Sequence, residues 1–199
     1  MLVVGIDPGI TGGIAVLNDG KFVEGFDMPQ QDKGKPQRKR NKAGVMVTRQ
    51  KKEIDPWALH KILDYISDDI HIFIEQVSAG AFGQGKDGEQ RTQGVVSAFG
   101  FGDSFGVIRG VCASIVGREN LHLVRPQEWK KLRGLVGCDK DVARKSAIVW
   151  YGDAASYLGR KKDIGRADAI MIADYGHHYL TRLTDDSLPA LTKRLTEGK

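Results

Sequence analysis

The chain has 199 residues, of which 41% are apolar, and a formal net charge of +5 at pH 7; this fits one globular domain and leaves little room for a second. No apolar run approaches the ~18 residues of a membrane span, and the first residues reach an acid and a Pro-Gly turn too early for a signal peptide. Two cysteines, Cys112 and Cys138, lack the spacing of a disulfide or zinc framework. We therefore expect reduced thiols, no membrane association and a cytoplasmic location.

The first thirty residues predict an antiparallel meander of three strands. Turn signals at "DPGITGG" and "NDG" separate the runs "LVVGI", "GIAVL" and "KFVEGFDM". The first run ends in Asp7, although the run otherwise has the composition of a strand buried on both faces, where an unpaired carboxylate is costly. Asp7 either shapes the Pro8-Gly9 turn or binds a ligand.

A strongly basic segment follows the meander. Residues 33–52 hold nine Lys or Arg and no acid, which leaves 21 basic against 25 acidic residues in the rest of the chain. A local block of this kind is typical of a surface that contacts a polyanion, most often nucleic acid. We predict a basic loop inserted in the domain; the alternative is a solvated loop without a partner. The candidate DNA contacts are Arg38, Lys39, Arg40 and Lys42.

The next segment predicts a helix and a second buried strand. In "IDPWALHKILDYI", Asp55 is a suitable N-cap, Pro56 fits the first helical position, and apolar residues recur with helical spacing. "IHIFIEQV" is a short β-branched and aromatic run, as expected for a buried strand. Like the first strand, it ends in an acid, Glu75.

Residues 78–102 are rich in glycine and contain three phenylalanines. We predict a mobile loop with at most a short helical piece. Phe82 and Phe99 are candidates for stacking on unpaired DNA bases, because so glycine-rich a loop offers little core for them to join. The alternative is that these rings pack in the core.

The last third predicts helices around one further strand. A helix with Asp103 as N-cap comes first, and "LHLVRPQEW" reads as a strand that runs into a turn. The segments "DKDVARKSAIVWY" and "RADAIMIADYGHHYLTRL" predict two more helices, the second of which carries Asp168. Residues 185–199 are polar, and we expect a loose tail.

The two strand-terminal acids are predicted to be neighbours. A right-handed crossover through the first helix places the strand at 70–74 parallel to the first strand, and ligands bind beyond the carboxyl ends of such strands. Asp168 could complete the cluster. Carboxylates without His or Cys at ligand spacing favour Mg²⁺ over zinc, and paired ions of this kind cleave phosphodiesters. The alternatives are that Glu75 pairs with Arg109 and that Asp168 serves the helix dipole.

Five segments, "GIDPGITGGIAV", "FIEQV", "FGVIRGV", "RPQEWKK" and "KKDIGRADAIMIA", resemble the RuvC family of Holliday-junction resolvases in the RNase H-like superfamily, especially its phage-borne members. The resemblance implies an α/β fold with an RNase H-like mixed five-stranded sheet flanked by helices, over residues 1–184. It also implies a homodimer that nicks four-way DNA junctions symmetrically, with two Mg²⁺ ions per site, replaceable by Mn²⁺, in a bacterial host cytoplasm.

The resemblance also assigns residues. It matches Asp7, Glu75 and Asp168 to the catalytic, metal-binding acids, and it aligns Lys130 and Lys140 with the basic rim of the active site. Cellular members carry a further acid or His where this chain has Gly165. We expect Asp163 to replace it as a fourth catalytic ligand; the alternative is that Asp163 caps the last helix.

The position of Asp163 sets a geometric condition. Residues five apart on one helix differ by roughly 140° around its axis, so Asp163 and Asp168 can share a site only if the helix begins near Arg166, after a bend at Gly165. The chain also has Ser78 where the cellular family has an aromatic that wedges the junction. Phe82, Phe99 or Phe101 could replace that aromatic.

Three other functions remain open. A nuclease for forks or flaps would use the same chemistry on another branched DNA. A junction-binding protein without catalysis is compatible with the missing acid at position 165. A phosphotransferase of the sugar-kinase or actin-like type also opens with an acid-glycine turn, but it needs two lobes to enclose a nucleotide, and the chain is short for two.

Overall fold

The structure, a computed structural model, describes residues 1–41, 43–66, 70–76 and 95–197. In chain order its elements are β1 (Leu2–Asp7), β2 (Gly13–Asn18), β3 (Lys21–Asp27), β4 (Gln30–Arg40), β5 (Met46–Ile54), α1 (Pro56–Ile66), β6 (Ile70–Glu75), α2 (Val95–Ile115), β7 (Leu121–Val124), α3 (Pro126–Leu132), α4 (Lys140–Trp150) and α5 (Ile164–Glu197).

Five strands form one mixed sheet in the order β3-β2-β1-β6-β7. The predicted meander is confirmed, because β1 pairs with β2 and β2 with β3 in antiparallel fashion. The predicted crossover is confirmed as well, since β6 lies parallel to β1, and β7 lies parallel to β6. The chain is therefore an α/β protein with a mixed five-stranded sheet flanked by helices.

The alternation of side chains along β1 divides the core between the two faces of the sheet. Val4 and Ile6 pack towards α1 and α2, in a cluster that includes Leu59 and Cys112. Val3 packs on the other face, in the cluster built on α3, α4 and α5. Both clusters are fully buried at their centres, so the sheet is covered on both faces, as its apolar strands require.

The close approach of α5 to β1 depends on a glycine. A Cβ on Gly5 would lie 2.2 Å from the carbonyl oxygen of Ala169 and 2.4 Å from the backbone nitrogen of Ala173. The backbones of strand and helix therefore touch directly, which a larger residue would prevent. This contact brings the first turns of α5 to the carboxyl end of β1.

The first helix forms as predicted. The Asp55 carboxylate accepts hydrogen bonds from the backbone N–H groups of Trp57 and Ala58, both at 3.0 Å. Leu59 and Leu63 are buried against the sheet. The cap and the apolar stripe thus agree on where α1 starts and which side faces inward.

Four local predictions are corrected. The basic segment is a β-hairpin of β4 and β5, not a loop, because its two halves pair in an antiparallel ladder. The second helix begins at Val95, so Asp103 lies inside it and does not cap it. The turn predicted after β7 is the short helix α3. The predicted loose tail is helical, since α5 runs on to Glu197.

Each of these differences from the predicted elements has its own physical reason. Cross-strand pairs over the basic segment satisfy backbone groups that a loop would leave to water. Glycine at the start of α2 lowers helix propensity by about 1 kcal/mol per residue, but the helix continues an apolar stripe that packs beside α1. The end of α5 is polar yet rich in good helix formers. Residues 77–94, with most of the predicted glycine-rich loop, lie outside the described residues.

Candidate active site

The three predicted acids come from elements that meet at one edge of the sheet. Asp7 ends β1 and Glu75 ends β6, and because Ile6 is paired with Ile74 in the parallel ladder, the acids follow side by side. Asp168 lies in the second turn of α5. The charges of Asp7 and Glu75 both raise the pKa of Asp168, which places all three within electrostatic reach of one another.

Burial and mutual repulsion oppose ionisation of this carboxylate cluster, defined as Asp7, Glu75 and Asp168. Burial raises the pKa of Asp7 to about 6, although a backbone hydrogen bond from Gly9 counteracts it. Burial, and then the charge of Asp7, raise the pKa of Glu75 to about 7. Burial, followed by the charges of the other two acids, raises the pKa of Asp168 to about 7. At neutral pH the cluster is therefore short of positive charge.

The chemistry of the donors decides which ligand could supply that charge. All three offer carboxylate oxygens, which hard cations such as Mg²⁺ and Mn²⁺ prefer. Within the described residues, no three or more His, Cys, Asp or Glu side chains are arranged so that they could bind one metal ion as they stand. The acids thus form an interacting set with the donor type for a hard cation, but not a closed metal cage.

Two lysines lie close enough to the cluster to act on it. Lys130 at the end of α3 and Lys140 at the start of α4 each lower the pKa of all three acids. The family resemblance aligned these residues with a basic rim, and in the structure their charges act on all three carboxylates. Such cations moderate the repulsion within the cluster and attract a negatively charged substrate.

A buried indole also faces the cluster. Trp129 is 0% exposed, and its Nε1 atom has no hydrogen-bond partner at normal distance among the described residues. The indole N–H nevertheless lies near enough to Glu75 to lower the pKa of that acid, while Lys130 sits 5.0 Å from the ring centroid. The sequence carries no functional signal for Trp129, because a tryptophan beside a basic pair more often packs in a core.

The cluster opens into a cleft of about 680 Å³. Asp7 and Asp168 line it, and so do cations that the sequence analysis missed: Lys162, Arg160 and Arg166. The run "GRKKDIGR" before Asp168 was the available signal, but charge runs usually mark a solvated surface. In the fold this run lines the cleft together with Lys140, although Arg160 is paired with Asp163 and Arg166 with Asp27.

Asp163 is not part of the cluster. Its carboxylate accepts hydrogen bonds from the backbone N–H and the Nε–H of Arg160, both at 2.8 Å, and it lies 3.8 Å from the Nε atom of Arg166. Burial raises the pKa of Asp163, but these hydrogen bonds and charges outweigh burial and hold it below its usual range. The structure therefore engages the proposed fourth ligand in an ion pair with Arg160, at the wall of the same cleft that Asp7 and Asp168 line.

The helix start explains this separation. The last helix begins at Ile164 and not near Arg166, so the bend that would aim Asp163 at the cluster is absent. Gly165 lies in the first turn, where a Cβ would come within 2.7 Å of Asp7 Oδ2 and 2.6 Å of the Thr11 carbonyl oxygen. Position 165 thus abuts the cluster itself, and the backbone leaves no room there for a side chain.

The remaining predicted DNA contacts lie away from the cleft or outside the residues that the structure describes. Phe99 is on α2 and 76% exposed, and Arg38, Lys39 and Arg40 are exposed on β4. Phe82 and Lys42 lie outside the described residues.

Comparisons with known proteins leave the chain without an assigned family. No model of a known protein family matches it, and no curated protein matches it. In the part of the chain that the structure describes, no helix is both long and apolar enough to cross a membrane.

Proposed function

We propose that the chain is a Mg²⁺-dependent endodeoxyribonuclease of RNase H-like fold that nicks four-way DNA junctions. One observation carries the proposal: three half-buried carboxylates, with raised pKa values, gather at the carboxyl ends of two parallel strands within reach of two lysines. Neighbouring acids that are partly withdrawn from water repel one another and are costly to keep ionised, and perturbed pKa values in a cleft are typical of catalytic sites. The motif resemblance supplies the substrate.

The same residues have distinct roles in this proposal. Asp7, Glu75 and Asp168 hold the divalent cation, which Mn²⁺ can replace. When bound, a pair of such cations activates a water molecule and stabilises the leaving oxygen of a phosphodiester. Lys130 and Lys140 attract the scissile phosphate and keep the acids ionised near neutral pH, because their charges lower the carboxylate pKa values.

The start of α5 is held in position by a bidentate contact at the surface, in which Asp27 is exposed and Arg166 is largely covered. Arg166 donates from Nε and Nη2 to the Asp27 carboxylate at 2.6 Å each, and its guanidinium stacks 4.5 Å from the Tyr157 ring centroid. Tyr157 in turn donates to the carbonyl oxygens of Ile14 and Phe26. Strands β2 and β3 thereby fix the helix that carries Asp168, and a catalytic constellation needs such support.

Symmetric nicking requires two active sites on one junction, so the proposal includes a homodimer that works in the cytoplasm of a bacterial host. Forks and flaps are the alternative substrates, since the same cleft chemistry would cleave them. The described residues form one sheet with its helices and one hairpin, an arrangement that supports a nuclease over a two-lobed phosphotransferase.

A nicking assay tests this function. Labelled four-way, three-way and linear DNAs of equal strand length are incubated with the protein in Mg²⁺ or in EDTA. We expect paired nicks in the four-way junction with Mg²⁺ and none in EDTA. Equal cleavage of linear duplex would refute junction specificity, and cleavage in EDTA would refute the metal-dependent site.

A further inference from the structure

The β4–β5 hairpin projects from the domain. All eleven residues of β4 are exposed, and the two strands form a sheet of their own. The hairpin is anchored at its base, where Asp55 N–H donates to the Pro29 carbonyl oxygen at 3.0 Å and Ile54 is buried. At about 3.3 Å per residue, eleven residues reach roughly 35 Å.

The charges of the hairpin are divided between base and tip. At the base, Lys33 lies 3.3 Å from Glu53 and 3.0 Å from Asp103 on α2, and Lys52 pairs with Asp32. The cations nearer the tip form no ion pair within the described part of the chain: Lys35, Arg38, Lys39, Arg40, Arg49 and Lys51. The lysines at the base of the hairpin are therefore balanced by acids, whereas the outer part keeps its full positive charge.

A bulge separates these two parts. The register shifts between Lys33 and Gln37, and Gln50 Nε2 donates to the Gly34 carbonyl oxygen at 3.0 Å across it. Gly34 has a φ of +62°, which favours glycine. The bulge bends and twists the ribbon, so the outer part has its own direction relative to the anchored base.

Both faces of the outer ribbon are cationic. Residues opposite one another in an antiparallel ladder share a face, and successive residues alternate. Arg38 and Arg40 therefore lie on one face, while Lys39 lies on the other with Arg49, whose partner is Gln37. A flat surface contact would use only half of this charge, whereas a groove with phosphates along both walls would use all of it.

We infer that the β4–β5 hairpin is an arm that lies in the major groove of a DNA duplex beside the branch. The inference rests on the proposed function in taking branched DNA as the substrate. The major groove, about 12 Å wide, admits a two-stranded ribbon, whereas the minor groove is about 6 Å wide. Beyond the anchored Lys33, the seven further residues of β4 reach roughly 23 Å, which is about two thirds of one helical turn of DNA.

The test measures binding in EDTA, so that cleavage plays no part. Affinity is measured by fluorescence anisotropy for four-way junctions whose arms are 6, 12 or 24 base pairs long. The tip variant combines Arg38→Gln, Lys39→Gln and Arg40→Gln. A charge-matched control combines Lys21→Gln, Lys61→Gln and Arg118→Gln, three exposed cations elsewhere on the surface.

We expect the native protein to bind 12- and 24-base-pair arms equally and 6-base-pair arms much more weakly. Each lost phosphate contact costs about fivefold in affinity at 0.15 M salt, so the tip variant should lose on the order of 100-fold on long arms and lower the salt slope by about 2 to 3. On 6-base-pair arms it should match the native protein. The control should resemble the native protein throughout.

Three results would overturn the inference: equal losses in the tip variant and the control, no dependence of native affinity on arm length, or competition by the minor-groove ligand netropsin but not by a major-groove ligand. Melting curves of both variants check that each is folded. Linear duplexes of the same lengths report on the hairpin even if the chain cleaves nothing. The nuclease proposal is tested separately, with the native protein in Mg²⁺, so a failure of that assay is distinguishable from a failure of the hairpin inference.

Discussion

Replacing Asp7 by Asn should stabilise the metal-free protein, although it removes a proposed catalytic ligand. Burial raises the pKa of Asp7 from 3.8 to about 6, so ionising it costs more in the folded than in the unfolded chain. Two pKa units correspond to about 3 kcal/mol. An Asn carries no charge, and its amide oxygen still accepts the hydrogen bond from the Gly9 backbone.

The direction in which stability changes with pH follows from the linkage between proton binding and folding. A raised carboxyl pKa favours folding only while the group is protonated, so native stability falls as pH rises from about 4 through 6. In EDTA at pH 8 the variant should be more stable by about 3 kcal/mol, or about 6–12 °C in Tm. At pH 4 the difference should disappear. Mg²⁺ should raise the Tm of the native protein at pH 8 but not that of the variant.

Asp174→Asn is the control, because Asp174 is an acid of α5 that is buried, at 2% exposure, and lies outside the carboxylate cluster. Arg133 donates to both of its oxygens at 2.7 Å. Its loss should destabilise the protein by about 2–3 kcal/mol, with the response to Mg²⁺ retained. Melting curves at the two pH values, with and without Mg²⁺, report both effects. A destabilised Asp7→Asn variant in EDTA at pH 8 would refute the reasoning.

Three further predictions concern the surroundings of the cluster. Asp163→Asn should lower the free energy of unfolding, measured in urea, by about 2 kcal/mol, because it breaks the ion pair with Arg160. The Mg²⁺ dependence of nicking should not change. A changed dependence would mean that Asp163 belongs to the site. Gly165→Ala should cost about 1–3 kcal/mol and lower nicking about 100-fold, since its Cβ displaces the first-strand acid; normal activity would contradict the packing. Lys130→Gln with Lys140→Gln should move the acid limb of the pH–rate profile to higher pH, because both lysines lower the carboxylate pKa values; an unmoved limb would place them outside the site.

The sheet and the acids at its edge could be predicted from sequence because each depends on a local signal. Asp7 and Glu75 stand at the ends of apolar runs, and the rule for right-handed crossovers then makes those runs neighbours. The cap at Asp55 fixed the start of α1 in the same way. Strand composition, turns and caps all act over a few residues, so they are visible without a structure.

The rest depended on contacts distant in sequence. Asp163 looked like a spare ligand, but its role follows from Arg160 and from where α5 begins. The sequence showed Gly165 only as a position where the cellular family carries an acid or His. The structure shows that a side chain there would collide with the β1–β2 turn. The basic segment looked like a loop because its charges hide the strand pattern, and only cross-strand pairing shows the ribbon.

The central claim is that Asp7, Glu75 and Asp168 together hold the catalytic cation. Its most direct test is single-turnover cleavage of a four-way junction across a Mg²⁺ titration, by the native protein and by Asp7→Asn, Glu75→Gln and Asp168→Asn. We predict that all three variants lose at least 1,000-fold in rate, on the order of a lost catalytic group, and still bind the junction. Near-normal, Mg²⁺-dependent cleavage by any one of them would contradict the claim.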